Sequence, residues 1–304
     1  YGLLTLTADD VAVLNDVAPV EGGVVATVGA GTGLGECFLT KDPKSAGYTC
    51  WATEGGHTDW APRTELELEF LDHMRLKYNQ TSRISVERVI SGNGISDIYE
   101  FLAGKYPDQI NEKVHNDWKA ARAQKGGVVG QNSGEGLCKQ AMSIFFTAYA
   151  SELGNAMLKW LPTGGLYVSG GIAAKNLSWI LDDPNFKEVV FDKGRVSGAI
   201  KQCPVYVCKT EDVGERGAHL VAYNGYRKII GKANSGAAKI PSAPLSPMPD
   251  KTKVTEQVRA MDEGALSAGA EPPKPAAEPK KEEPAKVEAK TEEPKAKEAV
   301  APPK

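Results

Sequence analysis

Val24-Val25-Ala26-Thr27-Val28-Gly29-Ala30-Gly31-Thr32-Gly33-Leu34-Gly35 is an apolar, β-branched run that empties into glycines at alternate positions. The leading residues suit a buried strand. The alternating glycines suit neither a helix interior nor an ordinary strand. They favour a tight strand-to-strand turn whose bare backbone can approach another group closely. A second apolar run, Cys37-Phe38-Leu39-Thr40, follows at once, and Glu54-Gly55-Gly56-His57 comes soon after, with one carboxylate and one imidazole on either side of two glycines. Together these stretches read as a phosphate loop beside a polyol pocket.

The glycine turn fits neither common phosphate fingerprint. It lacks the lysine and spacing of G-x-x-x-x-G-K-[ST], and the third glycine of G-x-G-x-x-G would have to fall on Leu34 or Glu36. The physical role survives without those patterns, because successive backbone N–H groups in a glycine turn form an anion-binding nest and Thr32 adds a hydroxyl donor. The competing reading is a ligand-free hairpin. Glu54 can accept from two sugar hydroxyls, and His57 can donate or accept. Their competing reading is an exposed turn carrying a stray acid. Glu87, close to another glycine turn, is read as a solvent-facing acid on its own, and Gly170-Gly171-Ile172 as a strand-to-helix turn that can also pass close to a nucleotide.

With 304 residues and 41% hydrophobic content, the chain can bury a sizeable core. A net charge of −3 offers no basic surplus for nucleic acid or an anionic membrane. No apolar run approaches the length of a membrane span. Cys37, Cys50, Cys138, Cys203 and Cys208 show no C-x-x-C pair, which fits thiols serving as small apolar residues in a reducing compartment. His57, His73, His115 and His219 have no ligand-spaced partners, so no metal site is expected. No G-x-S-x-G elbow occurs.

Around the central stretch the pattern alternates strands with helices, which argues for α/β architecture. Residues 1–23 hold two short apolar pieces around a polar turn. Lys41-Asp42-Pro43-Lys44 reads as a turn, and Ala46 to Trp51 as a strand arriving at Glu54. Thr64 is a candidate N-cap for a helix with Leu66, Phe70, Leu71 and Met74 on its apolar side. Glu65, Glu67 and Glu69 are expected on a solvated face of it. Ile95, Ile98, Tyr99 and Leu102 have helical spacing, whereas residues 107–135 read as polar and irregular. A long helix is expected from Leu137 to Trp160, and Gly154 inside it signals close approach by a neighbour. Leu166–Ser169 and Pro204–Cys208 read as strands, and a last helix ends near Tyr226. Residues 271–304 contain eight Pro, eight Lys and eight Glu and no aromatic residue, a composition expected to be disordered or an extended linker.

In this order, Val28–Gly35, Glu54–His57, Ser85-Val86-Glu87-Arg88-Val89-Ile90-Ser91-Gly92, Ser169-Gly170-Gly171-Ile172 and Gly217-Ala218-His219-Leu220 resemble the bacterial-type glucokinase family, of the actin-like ATPase (ribonuclease H-like) sugar kinase fold. The resemblance spans roughly residues 1–228. It implies ATP-dependent phosphorylation of glucose at its 6-hydroxyl, with Mg²⁺ accompanying ATP. Glu54, His57 and Glu87 match the family's sugar-binding positions. Gly29, Ala30, Gly31, Thr32 and Gly33 match its second phosphate loop, and Gly170 and Gly171 its adenosine-side turn. The family's D-x-G-G-T loop and its catalytic Asp have no match here and are expected upstream of Tyr1. The chain is therefore read as an incomplete fragment of an active enzyme, the alternative being a non-catalytic sugar-binding or regulatory relative. The resemblance also implies a domain plan: residues 1–20 as a remnant of the smaller domain or hinge, 21–232 as the larger domain with its C-terminal helix, and 233–304 as the Pro/Lys/Glu/Ala tail. Apolar surface is expected to be exposed on residues 1–20 and on the last helix. A cytoplasmic location and a homodimer are consistent with the resemblance, and the tail is a candidate tether to a partner protein.

Overall fold

The computed structural model describes residues 1–42 and 47–229. Pro43 to Ala46 and the proposed tail lie outside the described residues. Strands β1 (Val11–Asn15), β2 (Val25–Ala30), β3 (Leu34–Lys41), β4 (Tyr48–Ala52), β5 (Gly165–Ser169) and β6 (Val205–Cys208) form one sheet in the order β1-β6-β5-β2-β3-β4. β2, β5 and β6 run parallel, and β1, β3 and β4 pair antiparallel. The helices are α1 (Glu65–Lys77), α2 (Val86–Val89), α3 (Gly92–Lys105), α4 (Glu112–Ala120), α5 (Lys125–Gln131), α6 (Gly136–Trp160), α7 (Gly171–Lys175), α8 (Leu177–Leu181), α9 (Pro184–Phe191), α10 (Ser197–Ile200) and α11 (Val213–Ile229).

Alternation along the central strands decides which residues enter the core. Ala26, Val28 and Ala30 of β2, with Leu166 and Val168 of β5 and Val205 and Val207 of β6, join the large cluster that includes the inner faces of α3 and α6. Fully burying such side chains contributes about 1.5–3 kcal/mol for each Val, Leu or Phe. Val25, Leu39 and Cys208 point the other way, into a smaller cluster with Leu3 and Leu6. The chain's first residues therefore bury part of their apolar surface. Val13 and Val20, at 51% and 56% exposure, and Val221 on α11, at 50%, leave apolar surface open as expected.

Thr64 caps α1 by accepting from the Glu67 N–H at 3.2 Å. Glu67 itself corrects the expected solvated face. It is buried, and its carboxylate accepts from the Arg63 N–H, so the residue serves the entry of the helix rather than its surface. The region 107–135 is also more ordered than its polarity implies. Asn111 caps α4 at the Val114 N–H, and Trp118 is buried, its indole N–H donating to Ser96. In α5, Gly126 lets the helix close on α3, where an added Cβ would stand 2.1 Å from the Gly92 carbonyl oxygen. One tryptophan and one glycine carry packing that a polar window average hides. α6 runs unbroken through Gly154, where the Val190 carbonyl oxygen at the end of α9 occupies the place of a side chain.

Arg216 on α11 makes two 3.0 Å bonds to the Asp10 carboxylate, tying the last helix to the chain's first segment. Burial works to raise the Asp10 pKa, but its bonds from Arg216 and Thr7 outweigh this and hold it down at about 2. The tie is thus fully present above the ordinary carboxylate range and is lost only as pH falls through about 2.

Candidate functional site

The glycine stretch is a hairpin. Ala30 pairs with Leu34 and Gly29 with Gly35, and the Gly31 N–H donates to the Gly33 carbonyl at 2.8 Å. The Gly92 N–H, at the start of α3, holds the tip by donating to the Gly31 carbonyl. The glycines divide into two kinds. A Cβ at Gly29 would meet the Ser169 hydroxyl at 2.7 Å, and one at Gly33 would meet a Glu87 carboxylate oxygen at 2.5 Å, so these positions serve internal close packing. Gly31 and Gly35 face open space instead. Because Gly31 spends its N–H inside the hairpin, the nest is smaller than the glycine count implies. Among the described residues, no partner is found for the N–H groups of Thr32 and Gly33, which remain available to an anion.

Leu34 is where the other predicted residues converge. Its N–H donates to Glu87 at 3.0 Å, and its carbonyl lies so close to Gly56 that an added Cβ would be 2.3 Å from the oxygen. Glu87 is half-buried on the first turn of α2, which corrects the reading of it as a solvent-facing acid. The short turn Gly55–His57 is set by the His57 N–H on Glu54 and by the Thr58 N–H and hydroxyl on Gly55. The next residues pair with the run before α2: Val86 donates to the Thr58 carbonyl, and Trp60 to that of Ile84. Glu54 and His57 stand out from this frame with side chains 88% and 57% exposed, 3.8 Å apart. One backbone unit thus holds the hairpin, the Glu54–His57 turn and Glu87 together.

Gly170 and Gly171 reach the same end of the sheet. β5 runs beside β2 with Ser169 opposite Gly29, and the Ser169 and Thr27 hydroxyls are 2.9 Å apart. Gly170 has φ +90°, and the Ala30 carbonyl oxygen occupies the place of its side chain. The buried Tyr149 hydroxyl on α6 donates to the Val28 carbonyl from beneath, at 3.2 Å. Both glycine turns therefore stand at the carboxyl ends of neighbouring parallel strands, where open α/β sheets place their ligands.

Glu36 is not among the sequence-predicted site residues. It is 5% exposed, and its carboxyl lies against Gly55, where an added Cβ would be 1.9 Å from one of its oxygens. Across from it on α6 is buried Glu152, which is bonded to Asn155 and Lys159. Two ionised carboxylates only accept, so neither Glu36 oxygen has a hydrogen-bond partner; a proton on Glu36 makes it a donor to Glu152. Burial first, and then the Glu152 charge, push the Glu36 pKa up to about 7, against an opposing pull from Lys159. Stability from this group therefore falls as pH rises from the ordinary glutamate range to about 7. The signal was in the alternation: Glu36 shares a strand face with Leu34 and Phe38, both packed in or against the main core.

A cavity of about 470 Å³ lined by Val13, Val25, Tyr167 and Tyr206 opens at the beginnings of β2 and β5, away from the glycine turns. Its lining also includes Asp16, Glu21 and Lys41, but none of the residues that converge on Leu34. Among the described residues, no group of three or more His, Cys, Asp and Glu side chains could hold a metal ion, and no helix is long and apolar enough to cross a membrane.

The sequence profile of the family described as Glucokinase matches residues 1–225. The chain belongs to the glucokinase family. It is 42% identical over 236 residues to a glucokinase of Synechocystis sp., covering 73% of this chain and 65% of that protein. A Nostoc sp. glucokinase is 38% identical, with 73% and 67% covered. The chain thus spans about two thirds of the length of these glucokinases. Among solved structures, a glucokinase from an Antarctic psychrotroph aligns at TM-score 0.57 and 23% identity, covering 73% of this chain and 66% of that one. A Balamuthia mandrillaris glucokinase in complex with glucose aligns at TM-score 0.57 and 19% identity, with 67% and 55% covered. These structures share the actin-like ATPase fold of the sugar kinases, as the motif order implied.

Proposed function

We propose that this chain supplies the sugar pocket and much of the nucleotide cleft of a glucokinase, an enzyme that transfers the terminal phosphoryl group of ATP to glucose. The observation that carries this reading is the convergence on Leu34, which sets Glu54, His57 and Glu87 beside a glycine turn with available N–H donors. Glu54 and Glu87 accept from sugar hydroxyls, and His57 fixes a further one. Such a trio rejects analogues that would leave its polar atoms unpaired. The backbone of Gly29, Ala30, Gly31, Thr32 and Gly33 lies along the phosphates, and Gly170 and Gly171 let the adenosine side pass close to β5. Phosphoryl transfer depends chiefly on such positioning.

Mg²⁺ would arrive with the nucleotide, held largely by phosphate oxygens as that ion commonly is, and supply charge neutralisation there. Residues 1–20 are assigned to a remnant of the smaller domain or hinge, and 21–232, with the C-terminal helix, to the larger domain. A cytoplasmic location goes with this reading. The test is glucose-dependent ADP release by the full-length protein with Mg²⁺ and ATP. The expected result is stoichiometric ADP and glucose 6-phosphate, and ADP release that ignores glucose would overturn the assignment.

A further inference from the structure

We propose that Glu36 is a positioning residue for the sugar turn: its carboxyl fills the space behind Gly55 and sets where Glu54 and His57 stand, so that charging it loosens the turn. This rests on the reading of Glu54 and His57 as sugar ligands. Three observations carry it. Glu36 occupies a core position between Leu34 and Phe38 on the helix-facing side of β3, where an apolar residue would pack without a desolvation penalty. Both its oxygens lack a partner in the ionised state. The carboxyl presses on the first glycine of Glu54-Gly55-Gly56-His57, and the Thr53 hydroxyl next to that turn donates to the Glu36 carbonyl at 2.9 Å, so the turn is fastened to this one residue by backbone and side chain.

The charged surroundings decide the direction. Glu152 and Lys159 face Glu36 from α6, with the Tyr149 hydroxyl deeper on the same helix. Glu54 and His57 stand on the turn in front, and Glu87 stands on α2 beyond Leu34. Lys193, after α9, is engaged by Ser151 and Asn155, on either side of Glu152 along α6. Lys159, paired with Glu152, pulls toward ionisation, but burial and the Glu152 charge outweigh it, so the two carboxyls hold one proton between them. With the proton present, Glu36 donates to Glu152 and the turn rests on a neutral group. When the proton leaves to solvent, two like charges oppose each other in a buried space, and the yielding element is the short Gly55-Gly56 turn. The burial-raised pKa of about 7 places that change in the neutral range.

The experiment follows the Gly55 and Gly56 amide resonances of this chain from pH 5.5 to 8.5, beside Glu36→Gln, Glu152→Gln and His57→Gln. In the unaltered chain these signals are expected to move with a midpoint near 7; E36Q removes the movement, E152Q shifts its midpoint downward, and H57Q leaves it in place. Movement unchanged in E36Q, or abolished by H57Q, overturns the proposal. In parallel, the glucose dissociation constant is expected to rise roughly threefold from pH 6 to pH 8, the effect of half a unit of coupling between proton and sugar, and to stay level in E36Q. A parallel rise in E36Q also overturns it. If glucose binds at neither pH, the sugar-site reading fails, whereas the amide titration still decides whether Glu36 sets the turn.

Discussion

Gly170→Ala is expected to lower the unfolding free energy by about 3 kcal/mol, a sum of left-handed strain and steric overlap, and to abolish binding of a non-hydrolysable ATP analogue. Gly170 has φ +90° and ψ 158°, a region essentially closed to residues with a side chain. The added Cβ would stand 2.4 Å from the Ala30 carbonyl oxygen and 3.0 Å from the Ala30 backbone N and C. All three are rigid main-chain atoms, and Ala30 is the last residue of β2 before the phosphate hairpin. Relief of the clash must therefore displace the hairpin or the start of α7. Gly104→Ala is the control. Nothing lies within 4 Å of its Cβ position on α3, so it is expected to stabilise by up to about 1 kcal/mol. Urea unfolding of the two variants gives the comparison; a Gly170→Ala chain as stable as the unaltered one would contradict the close approach of β5 to the hairpin.

The second large effect falls on binding without touching stability. Glu54→Ala and His57→Ala are each expected to weaken glucose binding by about 10- to 100-fold, the loss of one or two charge-assisted hydrogen bonds. Both side chains are more than half exposed, and they approach each other at 3.8 Å. Truncation should leave unfolding within about 0.5 kcal/mol of the unaltered chain. Glu87→Ala differs, because Glu87 also accepts from Leu34, and it should lose stability and affinity together. Calorimetric titration with glucose, paired with thermal unfolding, separates the cases. Unchanged affinity in both Glu54→Ala and His57→Ala would reduce their turn to ordinary surface.

What could be read from the sequence was whatever depends on local pattern. The β2–β3 hairpin follows from β-branched residues meeting alternate glycines, the start of α1 from Thr64, and the length of α6 from its apolar spacing. The order of weak motifs carried the family, because each short match is uninformative singly while their sequence along the chain is not. The missing part is what depends on which groups meet once the chain has folded, whether near in sequence or far. Glu67 looks like surface until the Arg63 N–H turns onto it, and α4 looks like loop until Trp118 finds Ser96. Gly31 looks like a free donor until the hairpin closes on Gly33. Glu36 is the costliest omission, since its significance comes from Glu152, more than a hundred residues later. A polar residue at a core position of a strand is the signal that the sequence does carry.

The most direct measurement is a crystal structure of this chain grown with glucose. The account predicts the hexose against the Glu54–His57 turn, with hydroxyls within hydrogen-bond distance of Glu54, His57 and Glu87 and the ring beside the Thr32–Gly33 tip. Glucose seated instead among Val13, Tyr167 and Tyr206, with those three side chains untouched, would contradict it.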